Sequence, residues 1–152
     1  MVAKFLLHVA ALATLSLVSC SGSSEATTRK DQEIEFTRAF GFSPSASITQ
    51  IAYSDLYNRG VMGGAYGQWM RFTFEKETFE KIVGNGYSMA MHPSLANKEV
   101  SPAWWPKSIA PRATVYTRTH EDTPENEGFS FDEILWHDSV AGFVYYHKLH
   151  WD

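Results

Sequence analysis

Imidazoles, carboxylates and a single thiol are the side chains of this 152-residue chain that could do chemistry, and their spacing is the first constraint on function. Imidazole serves as a base or a metal ligand near neutral pH. His147 and His150 stand three apart in a segment that alternates like a strand, which turns them to opposite faces and away from a shared metal. His137-Asp138-Ser139 has the residue types of a hydrolytic triad, but a triad converges through space and these residues are contiguous, so a hairpin turn suits them better. His92 and His120 would need the fold to bring them to one of these. From Glu121 to Asp138 the chain carries Glu121, Asp122, Glu125, Glu127, Asp132, Glu133 and Asp138 with no Lys or Arg. Their spacing matches no calcium loop, and a solvated acidic loop is expected. Dinucleotide, P-loop, zinc-protease and nucleophile-elbow motifs are absent from the sequence, so no metal site, cofactor or catalytic residue is expected.

Trp104-Trp105-Pro106 is more informative. Adjacent side chains of an extended segment point opposite ways, so one indole is expected on the core and the other free. An outward Trp beside prolines is a rigid anchor for protein, peptide or glycan, which makes Trp104 and Trp105 the candidate binding residues. The competing reading has both rings capping the core, because Trp is highly buried on average.

The elements that would position these groups follow from periodicity. Gln32 to Gly41 fits a short helix stopped by glycine. Ser47 to Tyr57 and Tyr66 to Glu75 fit the strands of a hairpin, with Gln68, Met70 and Phe72 on one face and Trp69, Arg71 and Thr73 on the other. The glycine-rich stretch Arg59 to Gly67 between them reads as the turn. Glu77 to Val83 is amphipathic at helical spacing, with Gly84 as a stop. Prolines interrupt Asn85 to Pro111. Arg112 to His120 alternates as a strand, and Glu133 to His137 with Phe143 to Trp151 form a second hairpin turned by Asp138 to Gly142. Helices and strands segregate without βαβ alternation. The expected class is therefore α+β, an antiparallel sheet of about four to five strands packed by two short helices.

The thiol, Cys20, ends an apolar run. Phe5 to Val18 would span only about 21 Å as a helix, short of the ~30 Å hydrocarbon layer. Lys4 before it, the short apolar core and the small residue Ser19 after it are the marks of a secretory signal. Leu17-Val18-Ser19-Cys20 resembles the lipobox of bacterial lipoprotein signal peptides. The resemblance covers Met1 to about Gly22 and implies cleavage before Cys20, which would be lipidated and become the new N-terminus. It also implies stable membrane attachment, since several acyl chains hold where one is marginal. Ser21, where an Asp would favour the inner membrane, leans the reading toward the periplasmic face of an outer membrane. The expected organisation is a signal over residues 1–19, Cys20 with a flexible tether to Asp31, and one domain over 32–152.

The formal charge of the chain is −4, and the signal segment removes Lys4 but no acid. Such a domain does not suit nucleic acid, whose recognition rests on clustered cations. With Cys20 lipidated no thiol remains for a disulfide, so stability must come from burial. Three readings follow: a non-catalytic envelope lipoprotein that binds another envelope protein or cell-wall material; an envelope hydrolase with a cleft near residues 85–111; and a small-ligand or metal-binding lipoprotein. The first is preferred. Replacing Cys20→Ala should abolish incorporation of a fatty-acid analogue and release the protein from membranes. Equal labelling of wild type and variant would rule out the lipid anchor.

Overall fold

The computed structural model describes residues 23–60, 63–91, 101–108, 113–120 and 130–151. In chain order the elements are β1 (Ser23–Glu25), α1 (Arg29–Phe40), β2 (Ile51–Gly60), β3 (Gly63–Thr73), α2 (Lys76–Val83), β4 (Ser88–Ala90), β5 (Thr114–His120), β6 (Ser130–Asp138) and β7 (Phe143–Trp151). The strands among the described residues form one antiparallel sheet in the order β1-β2-β3-β7-β6-β5-β4. The class is α+β, as expected, but the sheet has seven strands rather than four or five. The extra ones, β1 and β4, have three residues each and lie at the two edges. Strands that short show no alternation that a sequence pattern can register.

Local chemistry sets the element ends. α1 starts at Arg29 because the Thr28 hydroxyl accepts from the Asp31 backbone N–H at 3.2 Å, satisfying a donor that the first turn leaves unpaired. It stops at Gly41, whose φ of 77° is left-handed. The described part of the stretch expected to be a tether is structured: β1 pairs Ser23 with Leu56, and α1 opens before Asp31. Glu75 caps α2 by accepting from the backbone N–H groups of Glu77 and Thr78, at 3.0 and 2.8 Å, and the bonds with Thr78 hold its carboxyl below the usual range. The β6–β7 turn forms as its residues suggest, with Asp138 Oδ1 accepting from the Val140 and Ala141 N–H groups and Gly142 at a φ of 71°. The β2–β3 pair departs from expectation. Its register continues to Gly60 opposite Gly63, so much of the glycine-rich stretch is strand, held by ladder bonds that ask nothing of a side chain.

The sheet has two differently built faces. On the first, α1 and α2 cover Ile51, Tyr53, Met70, Phe72, Leu135, Val144 and Tyr146 with Phe36, Phe40, Phe79 and Ile82. Rings meet edge to face there, Phe36 on Phe72 at 5.2 Å and Phe40 on Tyr146 at 5.0 Å, the arrangement aromatic quadrupoles favour. The second face carries Trp69, Trp136, Tyr145 and His147, and the 101–108 segment lies over it through Trp105.

Gly67 belongs to this second face. It sits two residues before Trp69, whose indole leans back over it into the space a Cβ would take. Trp69 is itself buried against His147, with ring centroids 4.6 Å apart, and has little room to retreat. Gly67→Ala should therefore cost about 1–3 kcal/mol in urea unfolding, the range for overpacking a filled site, and shift the tryptophan emission. An alanine variant as stable as wild type would show that the indole is free to swing aside.

Candidate functional site

Three adjacent strands place one charged residue each where the apolar alternation calls for a core side chain. β5 runs Tyr116, Arg118, His120 on the helix-covered face; β6 runs Glu133, Leu135; β7 runs Val144, Tyr146, Lys148. The register brings the charged members side by side, Arg118 opposite Glu133 and Glu133 opposite Lys148. It then continues through Gln68 on β3 to Asp55 on β2. One polar row, Asp55, Gln68, Lys148, Glu133 and Arg118, thus crosses five strands.

Glu133 is the centre of the row and only 2% exposed. A buried carboxylate needs donors, because desolvation of an unpaired charge costs several kcal/mol. Its Oε2 accepts from the Tyr87 hydroxyl at 2.6 Å and from Arg118 Nε and Nη2 at 2.8 and 2.5 Å. Its Oε1 accepts from the Tyr146 hydroxyl at 3.3 Å, with Lys148 Nζ further off at 4.0 Å. Arg118 is fixed in turn by Nη1 donating to the Asn85 carbonyl at 2.8 Å, and its guanidinium lies over the Tyr87 ring. Burial raises the phenol of Tyr87 far above its ordinary range, and the Glu133 charge adds to this; Tyr146 is raised for the same reasons. Both hydroxyls stay protonated as donors. Burial lowers the Lys148 ammonium, while Glu133 opposes that shift.

Beyond Glu133 the register sets a second row two positions further along the strands: Tyr57, Tyr66, His150, Phe131 and His120, one residue on each of the same five strands. Of these, His120 stacks on Phe131 with centroids 4.1 Å apart, and Lys148 Nζ lies 3.8 Å from the centroid of the same ring. His120 Nε2 is 4.0 Å from Glu133 Oε2 and has no hydrogen-bond partner. Burial is the main cause of its lowered pKa, so the imidazole is neutral at pH 7.

The structure separates the other sequence candidates. His137 stacks on Phe74 at the far end of the β5–β6 pair, opposite Thr114, while His120 faces Phe131 six residues away. At about 3.4 Å per residue that is roughly 20 Å, so the two imidazoles do not converge. His92 and Cys20 lie outside the described residues, as do residues 121–129 of the acidic segment. The rest of that segment is strand rather than solvated loop: Glu133 is interior, and the exposed Asp132 accepts from the Thr119 hydroxyl at 2.9 Å. Among the described residues no three His, Cys, Asp or Glu side chains gather as metal ligands.

Trp104 and Trp105 lie over the second face. Trp105 meets Tyr145 at 5.5 Å, Trp136 at 5.9 Å and His147 at 6.3 Å. Trp104 leans on Trp105 at 6.0 Å, with the Arg71 guanidinium 5.8 Å from its ring. Both indoles are half-buried, so the division into one core ring and one free ring does not describe them. They roof the back of the sheet together.

No protein-family model matches the chain, and neither does any curated protein or solved structure. Among the described residues no helix is long and apolar enough to cross a membrane.

The roof has a consequence for pH. His147 is 2% exposed beneath Trp105, its Nε2 lacks a hydrogen-bond partner, and burial pushes its pKa down to about 4. An imidazole in the unfolded chain titrates near 6.5, so acid protonates the unfolded state first. The stabilisation from neutral His147 is complete above about pH 6.5 and is lost as pH falls toward 4. Between pH 7.5 and pH 5 wild type should lose about 2 kcal/mol more stability than His147→Leu, a difference in which the other groups cancel. Urea unfolding of both proteins at the two pH values measures it. Parallel losses would place a hydrated, titratable imidazole under the roof.

Proposed function

We propose that the chain is a lipoprotein anchored through Cys20 on the periplasmic face of an outer membrane, with a non-catalytic domain that binds another envelope component. The observation that carries the binding half is the arrangement around Glu133. Its carboxylate is occupied by two phenols and an arginine, which suits a fixed counter-charge and does not suit a base that must exchange protons with a substrate. The same carboxylate holds Arg118 and flanks Lys148 beside the His120–Phe131 stack. A rigid polar row beside aromatic side chains is the composition of a binding surface, with few orienting polar groups among apolar ones. The hydrolase reading has less support, because His120 and His137 stand at opposite ends of their strand pair. The reading of Trp104 and Trp105 as the contact surface also has less support than the Glu133 face, since both rings are engaged with the sheet.

For the anchor half, the support is the lipobox with its single cysteine; Ser23, three residues after Cys20, pairs with Leu56, so a lipid on Cys20 would hold the domain close to the membrane. A photo-crosslinking phenylalanine analogue at position 120 of the full chain, in living cells, should form adducts with envelope components. The same analogue at position 76, on the exposed outer side of α2, should not. Adducts from both positions alike, or from neither, would remove the Glu133 face as the binding surface.

A further inference from the structure

We infer that Met89 and Met91, at the outer edge of the sheet, form a binding site for a soft monovalent metal ion, Cu(I). Such a site does not depend on the partner proposed for the Glu133 face.

Placement makes the two side chains available. β4 pairs with β5 along one side, Met89 opposite Tyr116 and Ala90 opposite Val115, and no described strand lies on its other side. Helix cover reaches Tyr116, whose ring meets Phe79 of α2 at 5.5 Å. Met89, one strand further out, is 71% exposed, and Met91, just past the end of β4, is 95% exposed. No other large apolar side chain among the described residues is as open to solvent. Two residues of extended chain separate the two Cα atoms by about 7 Å. Each thioether is carried on an unbranched arm with freely turning bonds, so the two sulfurs can close on one ion.

The edge itself is unusual in composition. Sheet edges are ordinarily blunted by a charged side chain or a proline, which discourages pairing with another chain. Ser88-Met89-Ala90-Met91 has neither, and two thioethers stand in their place.

Donor chemistry then selects the ligand. A thioether is uncharged and polarizable, and it stays free of protons across the biological pH range. Calcium and magnesium require oxygen ligands, and zinc takes thiolate, imidazole and carboxylate, whereas thioethers favour Cu(I). Among the described residues no three His, Cys, Asp or Glu side chains gather to draw a divalent ion instead. A filled d shell imposes no geometry of its own, so a pair of sulfurs at the open end of a strand can hold the ion in an exchangeable way.

The test is NMR of the full chain in detergent with isotope-labelled methionine methyl groups, titrated with Ag(I) in chloride-free buffer as a redox-stable substitute for Cu(I). The Met89 and Met91 signals should shift together along one titration curve, while that of the buried Met70 stays in place. Met89→Leu keeps the apolar bulk and removes the sulfur. In that variant the Met91 signal should need at least tenfold more Ag(I), and Met91→Leu should do the same to Met89. Unchanged melting temperatures would show that both variants keep the fold, and Cys20→Ala should leave the two shifts as in wild type, separating the thioethers from the thiol. Cu(I), kept reduced with ascorbate under nitrogen, should move the same two signals, and Zn(II) should move neither. Unmoved Met89 and Met91 signals would overturn the site. Titration of each signal unaltered by loss of the other sulfur would reduce the pair to separate exposed side chains and overturn it equally. A response to Zn(II) as strong as that to Ag(I) would overturn the assignment to a soft ion.

Discussion

A carboxylate in the interior of a sheet requires an arrangement around it, and much of this molecule is that arrangement. Glu133 sits on β6, but its donors come from β5, from β7 and from Tyr87, which follows α2. Tyr87 reaches it because the chain leaves α2 through Asn85 and Gly86, whose φ of 91° is a conformation that glycine adopts without strain. Asn85 contributes again by accepting from Arg118 through its carbonyl. The carboxylate therefore ties the end of α2 to the three-strand meander with bonds that apolar packing alone would leave undirected. Buried pairs of this kind add little net stability over an apolar core, yet losing one member strands the other. Their strength is directional, and here the direction is across strands β5, β6 and β7.

The two faces of the sheet divide the physical work. The helix-bearing face is closed by interlocking phenylalanines in its upper rows and by charge compensation in its lower ones. The opposite face has no helix among the described residues and is roofed by an irregular segment whose tryptophans reach Tyr145, Trp136 and His147. Arg71 links the roof to the turn end of β7, its guanidinium 4.9 Å from the Phe143 ring and 5.8 Å from that of Trp104. A cation between two rings gains from both and needs few hydrogen bonds.

What the sequence disclosed follows from how local each signal is. Gly41, Gly142 and the Asp138 turn were legible because backbone conformation there depends on one or two residues. The face assignment of Gln68, Met70 and Phe72 was legible because strand periodicity is two. β1 and β4 were not, since pairing at a sheet edge needs only backbone groups. Glu133 was hidden within an acidic run that reads as solvated. The signal lay in parity: Arg118, Glu133 and Lys148 each occupy a core position of an alternating strand, and three such breaches of pattern in adjacent strands imply mutual compensation. Recognising them required the strand order, which no local pattern contains.

The three-residue β1 also bears on how the domain would respond to force. Among the described residues it is the first paired element and is held to the sheet on one side only, by its pairing with β2. Tension applied at the N-terminus would meet this short ladder before reaching α1, whose first turn is fastened by the Thr28 cap. Peeling β1 away would free Ser23 to Thr28, about 20 Å of extended chain, while the aromatic core and the Glu133 network stay intact. The edge strand would thus act as a mechanical slack element, yielding reversibly at low load and sparing the sheet behind it.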